Sequence, residues 1–291
     1  PAPGPVLAQP PADAADVPAT AIVAQGAEIL PRTRCVEARR EGDRWTARLK
    51  DLATGAERVV TARILVNAAG PWVERFLHGI AGQKGSAHMR LVKGSHIVVP
   101  RLYEGDHAYI LQQPDRRIVF AIPYLERFTL IGTTDREYQG DPARVAISAE
   151  ETDYLLKVVN EHFKQQLSRG DVLHSFAGVR PLCDDESDEP SAITRDYTLS
   201  LSGAPGEAPL LSVFGGKLTT YRKLAESAMQ QLAPYFSNLG PSWTASAPLP
   251  GGEDMQEQST LVEALCERHG WLPASLAKRW VSSYGSRTWR L

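Results

Sequence analysis

The chain has 291 residues, of which 43% are hydrophobic and 23% are charged, as in globular proteins with one large domain or two ordinary ones. Its net charge of -2 excludes the strongly basic balance that nucleic-acid-binding proteins usually show, so we expect no nucleic-acid partner. The three cysteines are far apart and form no CxxC pair, which argues against a disulfide framework or a metal site.

Residues 1–19 are mostly Pro and Ala and predict a disordered lead-in, because this composition buries too little apolar surface to offset its ordering entropy. This segment lacks the basic and apolar regions of a signal peptide, and the chain does not begin with Met, which suggests a fragment. No apolar run approaches the roughly 18 residues of a spanning helix, so any membrane attachment is expected to be peripheral.

Apolar and polar residues alternate through residues 28–62, which predicts short antiparallel strands. The apolar run 64–66 predicts a strand buried on both faces, and the small residues 68–70 predict a tight turn before a helix that begins at Pro71. Strand, small-residue turn and helix are typical of a nucleotide-binding α/β layer. The turn would let a ligand approach the backbone closely, although tight packing of helix on strand explains the same small residues.

Short apolar runs separated by turns fill residues 89–135 and predict a sheet-rich second domain. Ser148 is expected to begin a helix, because Glu151 stands three residues later as the partner of a capping box. Residues 172–182 and 193–201 are predicted to form further strands.

A buried strand is predicted at 210–214, and the glycine pair 215–216 then turns the chain into a helix from about Lys217 to Leu232. The free N–H groups and the positive dipole end of this helix suit an anion or a flavin carbonyl. The spacing does not match a Walker loop. A strand-to-helix connector with a solvated lysine is the alternative interpretation.

Arg180, Arg195 and Lys217 are predicted to lie in loops or at element ends near this helix start. Cations that converge beside a helix N-terminus are what a phosphate-bearing ligand requires, and arginine offers a planar fork for it. For Arg180 and Arg195 each taken alone, a structural role is the better explanation, and for Arg195 that role is a salt bridge to neighbouring acidic residues. His96 enters an apolar strand, and its ordinary pKa near ~6.5 suits proton transfer, although a lone histidine at such a position is more often structural.

The chain contains five recognisable stretches: VNAAGPW, RLVKGSHIVVP, IGTTD, GVRPLCDDESDEPSAITRDY and LLSVFGGKLTTYRKLAE. Together they resemble the aerobic, FAD-dependent glycerol-3-phosphate dehydrogenases, which belong to the D-amino-acid oxidase-like flavoprotein superfamily. The resemblance covers roughly residues 21–291, and its motifs between 91 and 224 are long and specific.

The resemblance implies that sn-glycerol 3-phosphate is oxidised to dihydroxyacetone phosphate, with a hydride moving from C2 to flavin N5. It makes His96 the candidate catalytic base and Arg180 a second candidate catalytic residue. It implies that Arg180, Arg195 and Lys217 hold the substrate phosphate or polarise its oxygens. The residues expected to line the FAD are Ala68, Ala69, Gly70, Gly215, Gly216, Lys217, Leu218 and Thr219.

The expected fold class is α/β, mixed with α+β: a partial Rossmann-like FAD-binding layer, an antiparallel-sheet substrate domain and the start of a C-terminal helical domain. The expected divisions are a disordered lead-in at 1–19, a partial FAD-binding domain at 20–88, a sheet-rich substrate-binding domain at 89–205, a return to the FAD-binding domain at 206–247, and a linker with a truncated helical domain at 248–291.

The partners implied by the resemblance are glycerol 3-phosphate and a membrane quinone that takes the electrons. Members of this family sit in the cytoplasm, attached peripherally to the inner face of the cytoplasmic membrane. A homodimer is compatible with the resemblance, which does not determine the oligomeric state.

Family members begin with a strand and a GxGxxG loop that holds the FAD pyrophosphate, yet no GxGxxG occurs in this chain. We therefore expect that an N-terminal segment on the order of ~150 residues belongs before it. We also expect the chain alone to bind FAD weakly or not at all. Measuring the flavin absorbance of the purified chain tests this expectation, and stoichiometric flavin would contradict it.

Two other functions remain open from the sequence. One is a flavin-dependent amine or amino-acid oxidase of the same superfamily, whose carboxylate substrate needs fewer cations than a phosphate dianion. The other is a non-catalytic module that binds a phosphorylated metabolite. Turnover of glycine or sarcosine would favour the first, and calorimetric binding of glycerol 3-phosphate without flavin would favour the second.

Overall fold

The computed structural model describes residues 26–84, 88–183, 196–253 and 257–291. Its internal contacts divide the described residues into two units, one within Arg34–Ser237 and the other formed by residues 26–33 together with those of Asn238–Leu291. Sheets and helices are both present, so the predicted mixed α/β class is confirmed. The domain boundaries predicted from the sequence remain predictions.

The larger unit contains a three-stranded sheet in the order β1-β2-β3, and β2 and β3 are antiparallel. These strands are β1 (Thr33–Glu41), β2 (Arg44–Asp51) and β3 (Glu57–Ala62). Trp45 is fully buried, and its indole Nε1 donates a hydrogen bond to the Pro209 carbonyl at 3.0 Å. This hydrogen bond joins the first sheet to Pro209, the residue directly before the strand Leu210–Gly215.

A second sheet has the order β11-β12-β4, with β12 antiparallel to β11 and parallel to β4. Its strands are β4 (Leu65–Asn67), β11 (Tyr197–Ser202) and β12 (Leu210–Gly215). The predicted burial of residues 210–214 is confirmed, but Val66 in β4 is 48% exposed. The prediction that β4 is buried on both faces was therefore wrong, because an apolar run does not reveal which of its faces is covered.

A continuous helical segment follows β4. It comprises a 3-10 turn (Gly70–Trp72), the short helix α1 (Val73–Arg75) and a π-helical turn (Phe76–Ile80). Pro71 lies in the first turn, where its missing N–H costs no helical hydrogen bond. The helix start predicted at Pro71 is thus confirmed.

The largest sheet has six strands in the order β10-β5-β8-β7-β6, with β9 paired to β5, and all its recorded pairings are antiparallel. Its strands are β5 (Met89–Pro100), β6 (Tyr109–Gln112), β7 (Ile118–Tyr124), β8 (Phe128–Gly132), β9 (Arg136–Glu137) and β10 (His174–Cys183). This sheet contains the strands that were predicted for residues 89–135.

The helix α2 (Ala149–His162) covers one face of the six-stranded sheet. Its start is the predicted capping box: Ser148 Oγ accepts from the Glu151 N–H at 3.2 Å, and Glu151 Oε2 accepts from the Ser148 N–H at 2.9 Å. The buried core between helix and sheet is formed by Ile97, Val99, Leu111, Val119, Ile131, Leu155, Leu156, Val158, Val159 and Leu167.

The opposite face of this sheet, which we call the open face, carries the residues that alternate with that core. Ile110, Ile118, Ile122 and Phe176 point to it and are between 37% and 61% exposed. His96 belongs to the same face, because it alternates with the core residue Ile97 on β5. The open face is therefore largely apolar and partly exposed, with a half-buried histidine near its centre.

After β12, a 3-10 turn (Leu218–Thr220) leads into α3 (Tyr221–Leu232), close to the predicted helix. The smaller unit contains α4 (Gln258–Arg268) and α5 (Ala274–Tyr284), which pack around Leu265, Leu272, Ala277 and Val281. Within the described part of the chain, no helix has the length and apolarity needed to cross a lipid bilayer.

Candidate active site

His96 lies in the middle of the open face, where β5 pairs with Phe176 of β10 on one side and Gly132 of β8 on the other. Its imidazole stacks on the Phe176 ring, with centroids 5.0 Å apart and planes 7° apart. The ring also fills the space beside Gly132, since a Cβ there would lie 2.6 Å from the imidazole Cγ. Gly132 is thus the residue that allows the imidazole to take this position.

Arg180 lies within β10 and not in a loop or at an element end as predicted, because the strand continues past it to Cys183, and it projects to the same face of the sheet as His96. Its guanidinium forms an ion pair with the Asp135 carboxylate and donates a hydrogen bond to Thr133 Oγ1 at 3.2 Å. It lies over Gly94, where a Cβ would stand 2.9 Å from Nη2. Because Gly94 is two residues from His96 on β5, the arginine and the histidine are neighbours on the open face.

Burial and two charged neighbours together shift the pKa of His96. Burial lowers the pKa of His96 below its ordinary value, the positive charge of Arg180 lowers it further, and Asp135 opposes both effects. The imidazole Nδ1 is buried and has no hydrogen-bond partner among the described residues. The ring is therefore neutral at pH 7 and able to accept a proton.

The two segments predicted to line the FAD lie at one edge of the second sheet. Because β4 and β12 are parallel, with Asn67 opposite Ser212, the turns that follow these strands emerge at the same edge. The first turn contains Ala68, Ala69 and Gly70, and the second contains Gly216, Lys217, Leu218 and Thr219. The two turns are far apart in the sequence, so their proximity follows only from the pairing of β4 with β12.

The second turn needs its glycines. Gly215 and Gly216 have φ values of 72° and 101°, which other residues rarely adopt. A Cβ on Gly215 would also lie 2.8 Å from the Asp196 carbonyl oxygen. The residues after them are exposed, and Lys217 occupies the N-cap position of the helical turn. Backbone N–H groups at this helix start are therefore accessible to a ligand.

The same turn adjoins the strand that carries Arg180. A Cβ on Gly215 would lie 3.6 Å from the Pro181 carbonyl oxygen and 3.8 Å from the Cys183 nitrogen. The structure therefore brings the end of β12 next to the end of β10. Arg195, the third predicted cation, lies outside the described residues.

A cavity of about 350 Å³ opens beside the first turn and includes Ala69 in its wall. The other residues that line it are Arg34, Cys35, Trp72, Arg75, Phe76 and Ile80. Apart from Trp72, which belongs to the stretch VNAAGPW, the sequence did not mark these residues, because β1 meets the helical segment only in the folded chain. No group of three or more potential metal ligands is found among the described residues.

Sequence reasoning also missed the partners of the two catalytic candidates. Asp135 and Thr133 belong to the IGTTD stretch that contributed to the resemblance, so a signal for them existed. Alternation along β10 places Phe176 on the same face as Arg180, which also follows from the sequence once the strand is assigned. The contact of Gly132 with His96 depends on strand register and is not visible in the sequence.

Comparisons with known proteins show which chains this one is similar to. A glycerol-3-phosphate dehydrogenase of Pseudomonas aeruginosa is 68% identical over 266 residues, which cover 91% of this chain and 52% of that protein. A D-erythritol 1-phosphate dehydrogenase of Brucella abortus is 47% identical, over 91% of this chain and 53% of that protein. The chain thus spans about half the length of the curated relatives it matches.

Among solved structures, the glycerol-3-phosphate dehydrogenase of Bacillus halodurans complexed with FAD superposes with a TM-score of 0.78 and 30% identity, covering 91% of this chain and 52% of that one. These matches confirm the resemblance seen in the motifs. The family described as FAD dependent oxidoreductase matches residues 10–222, which is more than half of the chain. The chain therefore belongs to the FAD dependent oxidoreductase family.

Proposed function

We propose that the protein containing this chain is an FAD-dependent dehydrogenase that oxidises sn-glycerol 3-phosphate to dihydroxyacetone phosphate. The observation that carries this proposal is the pair of His96 and Arg180 on the open face, in a chain 68% identical to a glycerol-3-phosphate dehydrogenase. When bound, FAD supplies the acceptor for the hydride that leaves C2 of the substrate.

The described residues fit FAD at the shared edge of β4 and β12. The small side chains of Ala68, Ala69 and Gly70 leave the first turn open, and nothing would meet a Cβ at Gly70 within 4 Å. We propose that Gly215, Gly216, Lys217, Leu218 and Thr219 present their backbone to the cofactor. The cavity beside Ala69 would take an apolar, planar part of it.

His96 is proposed to accept the proton of the C2 hydroxyl group, which leaves as the hydride departs from the same carbon. Its lowered pKa favours the neutral ring at pH 7, which is the form that can accept a proton. Arg180 is proposed to polarise the substrate oxygen, because its guanidinium stands beside the imidazole. Asp135 offsets part of that positive charge.

Lys217 and Arg195 are proposed to complete the phosphate site together with Arg180. The supporting observation is that the turn holding Lys217 adjoins the end of β10 through Gly215. A phosphate dianion needs more positive charge than Arg180 supplies alone, since Asp135 pairs with it. The proposed electron acceptor is a membrane quinone, with peripheral attachment to the cytoplasmic membrane, as the family resemblance implies.

The experiment is anaerobic reduction of the complete, FAD-loaded protein, followed by the loss of flavin absorbance. We expect glycerol 3-phosphate to bleach the flavin and glycerol to leave it oxidised, because the phosphate provides the binding energy. Bleaching by glycine or sarcosine instead would contradict the proposal and favour an amine or amino-acid oxidase. Binding of glycerol 3-phosphate with no bleaching would favour a non-catalytic module.

A second substrate follows from the 47% identity with the D-erythritol 1-phosphate dehydrogenase. Both substrates are phosphorylated polyols, so the same His96 and Arg180 chemistry serves either of them. Comparing kcat/KM for the two compounds in the same assay decides between them. Faster turnover of D-erythritol 1-phosphate would reassign the substrate within this class.

A further inference from the structure

A buried carboxylate lies beneath the open face, on the side of the sheet covered by α2. The Glu151 side chain is 1% exposed, and both of its oxygens are fully engaged. The atoms that face it are Lys93 Nζ at 2.7 Å, Ser95 Oγ at 3.0 Å, Thr134 Oγ1 at 2.9 Å and the Ser148 nitrogen at 2.9 Å.

The two hydroxyl groups that Glu151 binds belong to the backbone segments that carry the candidate site. Ser95 precedes His96 on β5. Thr134 stands between Thr133 and Asp135, which both hold the Arg180 guanidinium. The Ser95 N–H also donates to Thr134 Oγ1 at 3.2 Å, so the two segments are joined directly as well.

The helix cap does not account for this arrangement. A capping box requires only the contact between Ser148 and the Oε2 atom of Glu151. The other oxygen, Oε1, is used entirely by Ser95 and Thr134.

Stability does not require this arrangement either, because an apolar pair of the same volume is often as stable as a buried carboxylate with its ammonium partner. Burial opposes ionisation of Glu151, but Lys93 and the hydrogen bonds outweigh it, so the pKa of Glu151 lies below its ordinary value.

We propose that Glu151 is a positioning residue for His96 and Arg180. This inference rests on the proposed function. On the helix side of the sheet, Glu151 accepts hydrogen bonds from Ser95 and Thr134 and so fixes their positions relative to each other. On the open face, the same two segments hold His96 and the partners of Arg180 at the spacing that proton acceptance and oxygen polarisation require.

The test compares three variants with the wild type. Glu151→Gln keeps the size of the side chain and removes its charge. Thr134→Val removes one hydrogen bond to Oε1 together with the acceptor of the Ser95 N–H, and it leaves Lys93 paired, so it remains informative where Glu151→Gln fails to fold. Glu150→Gln is the matched control, because Glu150 is the exposed neighbouring carboxylate on the same helical turn.

The first measurement is the titration of the His96 ring by NMR in the 291-residue chain, without cofactor. If the Thr134 segment is no longer held, Arg180 and Asp135 both move away from His96. The net effect on the pKa of His96 follows Arg180, because Arg180 lowers this pKa more than Asp135 raises it. We expect the pKa of His96 to rise in Glu151→Gln and Thr134→Val and to stay unchanged in Glu150→Gln.

The second measurement is turnover of glycerol 3-phosphate by the complete, FAD-loaded protein. We expect kcat to fall on the order of 10²-fold in Glu151→Gln and less in Thr134→Val, with little change in KM. Folded variants with an unmoved His96 titration would overturn the inference even if turnover falls, since general destabilisation gives that pattern. If the wild type lacks turnover while the titration shifts as expected, the proposed function fails and the positioning role stands.

Discussion

At the scale of single residues, the position of His96 depends on an atom that Gly132 does not have. A Cβ at this position would lie 2.6 Å from the imidazole Cγ and 2.7 Å from Nε2, closer than real Cβ atoms come. The ring cannot give way toward β10, because Phe176 stacks against its other side. Gly132 is therefore as much a part of the candidate site as the histidine.

We predict that Gly132→Ala lowers kcat on the order of 10²-fold in the complete protein by displacing the imidazole. The added methyl group should also cost about 1–3 kcal/mol of unfolding free energy, as overpacking usually does. Steady-state kinetics and chemical denaturation measure the two effects. Gly170→Ala is the control, since its Cβ would meet only Ser168 Oγ at 3.5 Å. Equal activity of the two variants would contradict the prediction.

The two charges beside His96 have opposite effects, which gives a prediction with two signs. Arg180→Gln removes the charge that lowers the pKa of His96, so we expect this pKa to rise. Asp135→Asn removes the charge that raises it, so we expect the pKa to fall. NMR titration of the imidazole measures both. A shift in the same direction for both variants would show that these side chains do not act through their charges.

The wild-type pH dependence follows from the same lowered pKa. His96 must be neutral to accept a proton, so the acid limb of kcat/KM should have its midpoint below the ordinary histidine value of about 6.5. Below that ordinary value the unfolded chain binds the proton first. The contribution of His96 to stability is therefore lost as pH falls toward its folded pKa. A midpoint above the ordinary value would argue against His96 as the base.

The sequence identifies candidate site residues, but it does not reveal most of the contacts that these residues make. His96 and Arg180 stood out because their motifs resemble a known family. Glu151 was recognised only as a helix cap, because a capping box is a local pattern of four residues. Its hydrogen bonds to Ser95 and Thr134 join residues far apart in the chain, so they depend on tertiary structure.

At the scale of elements, α2 packs on one side of the six-stranded sheet, and Ser148 is its N-cap. We predict that Ser148→Ala lowers the unfolding free energy by about 1 kcal/mol, because the Glu151 N–H loses its capping acceptor. Ser175→Ala is the control, since Ser175 is exposed on β10 and should change stability by less than about 0.5 kcal/mol. Urea denaturation measures both, and equal values for the two variants would contradict the assigned cap.

The elements themselves were largely predictable from local patterns. Alternating and buried apolar runs anticipated β5 and β12, and the capping box anticipated α2. The exposure of Val66 was not predictable, since an apolar run carries no information about what packs on each side of it. For the same reason the sequence does not show which face of the large sheet is open. That face is the one opposite α2, which covers the other face.

At the scale of the whole molecule, the two units differ in the size of their buried cores. In the smaller unit, α4 and α5 pack around four buried residues, whereas the core of α2 and the large sheet contains ten. Since local stability follows buried apolar contact, we predict that amides of α4 and α5 exchange with solvent at lower opening free energies than those of β5. Native-state hydrogen exchange measures this. Equal opening free energies would mean that the chain unfolds as one cooperative body.

The parallel pairing of β4 with β12 also has a consequence for the order of folding. The whole six-stranded sheet and α2 lie between these strands in the chain, so their pairing closes a long loop. Contacts between distant residues form late, because the entropy of closing the loop must be offset first. The edge proposed for the cofactor thus forms only after the intervening structure is in place. Recovery of flavin binding should then be among the last events when the complete protein refolds.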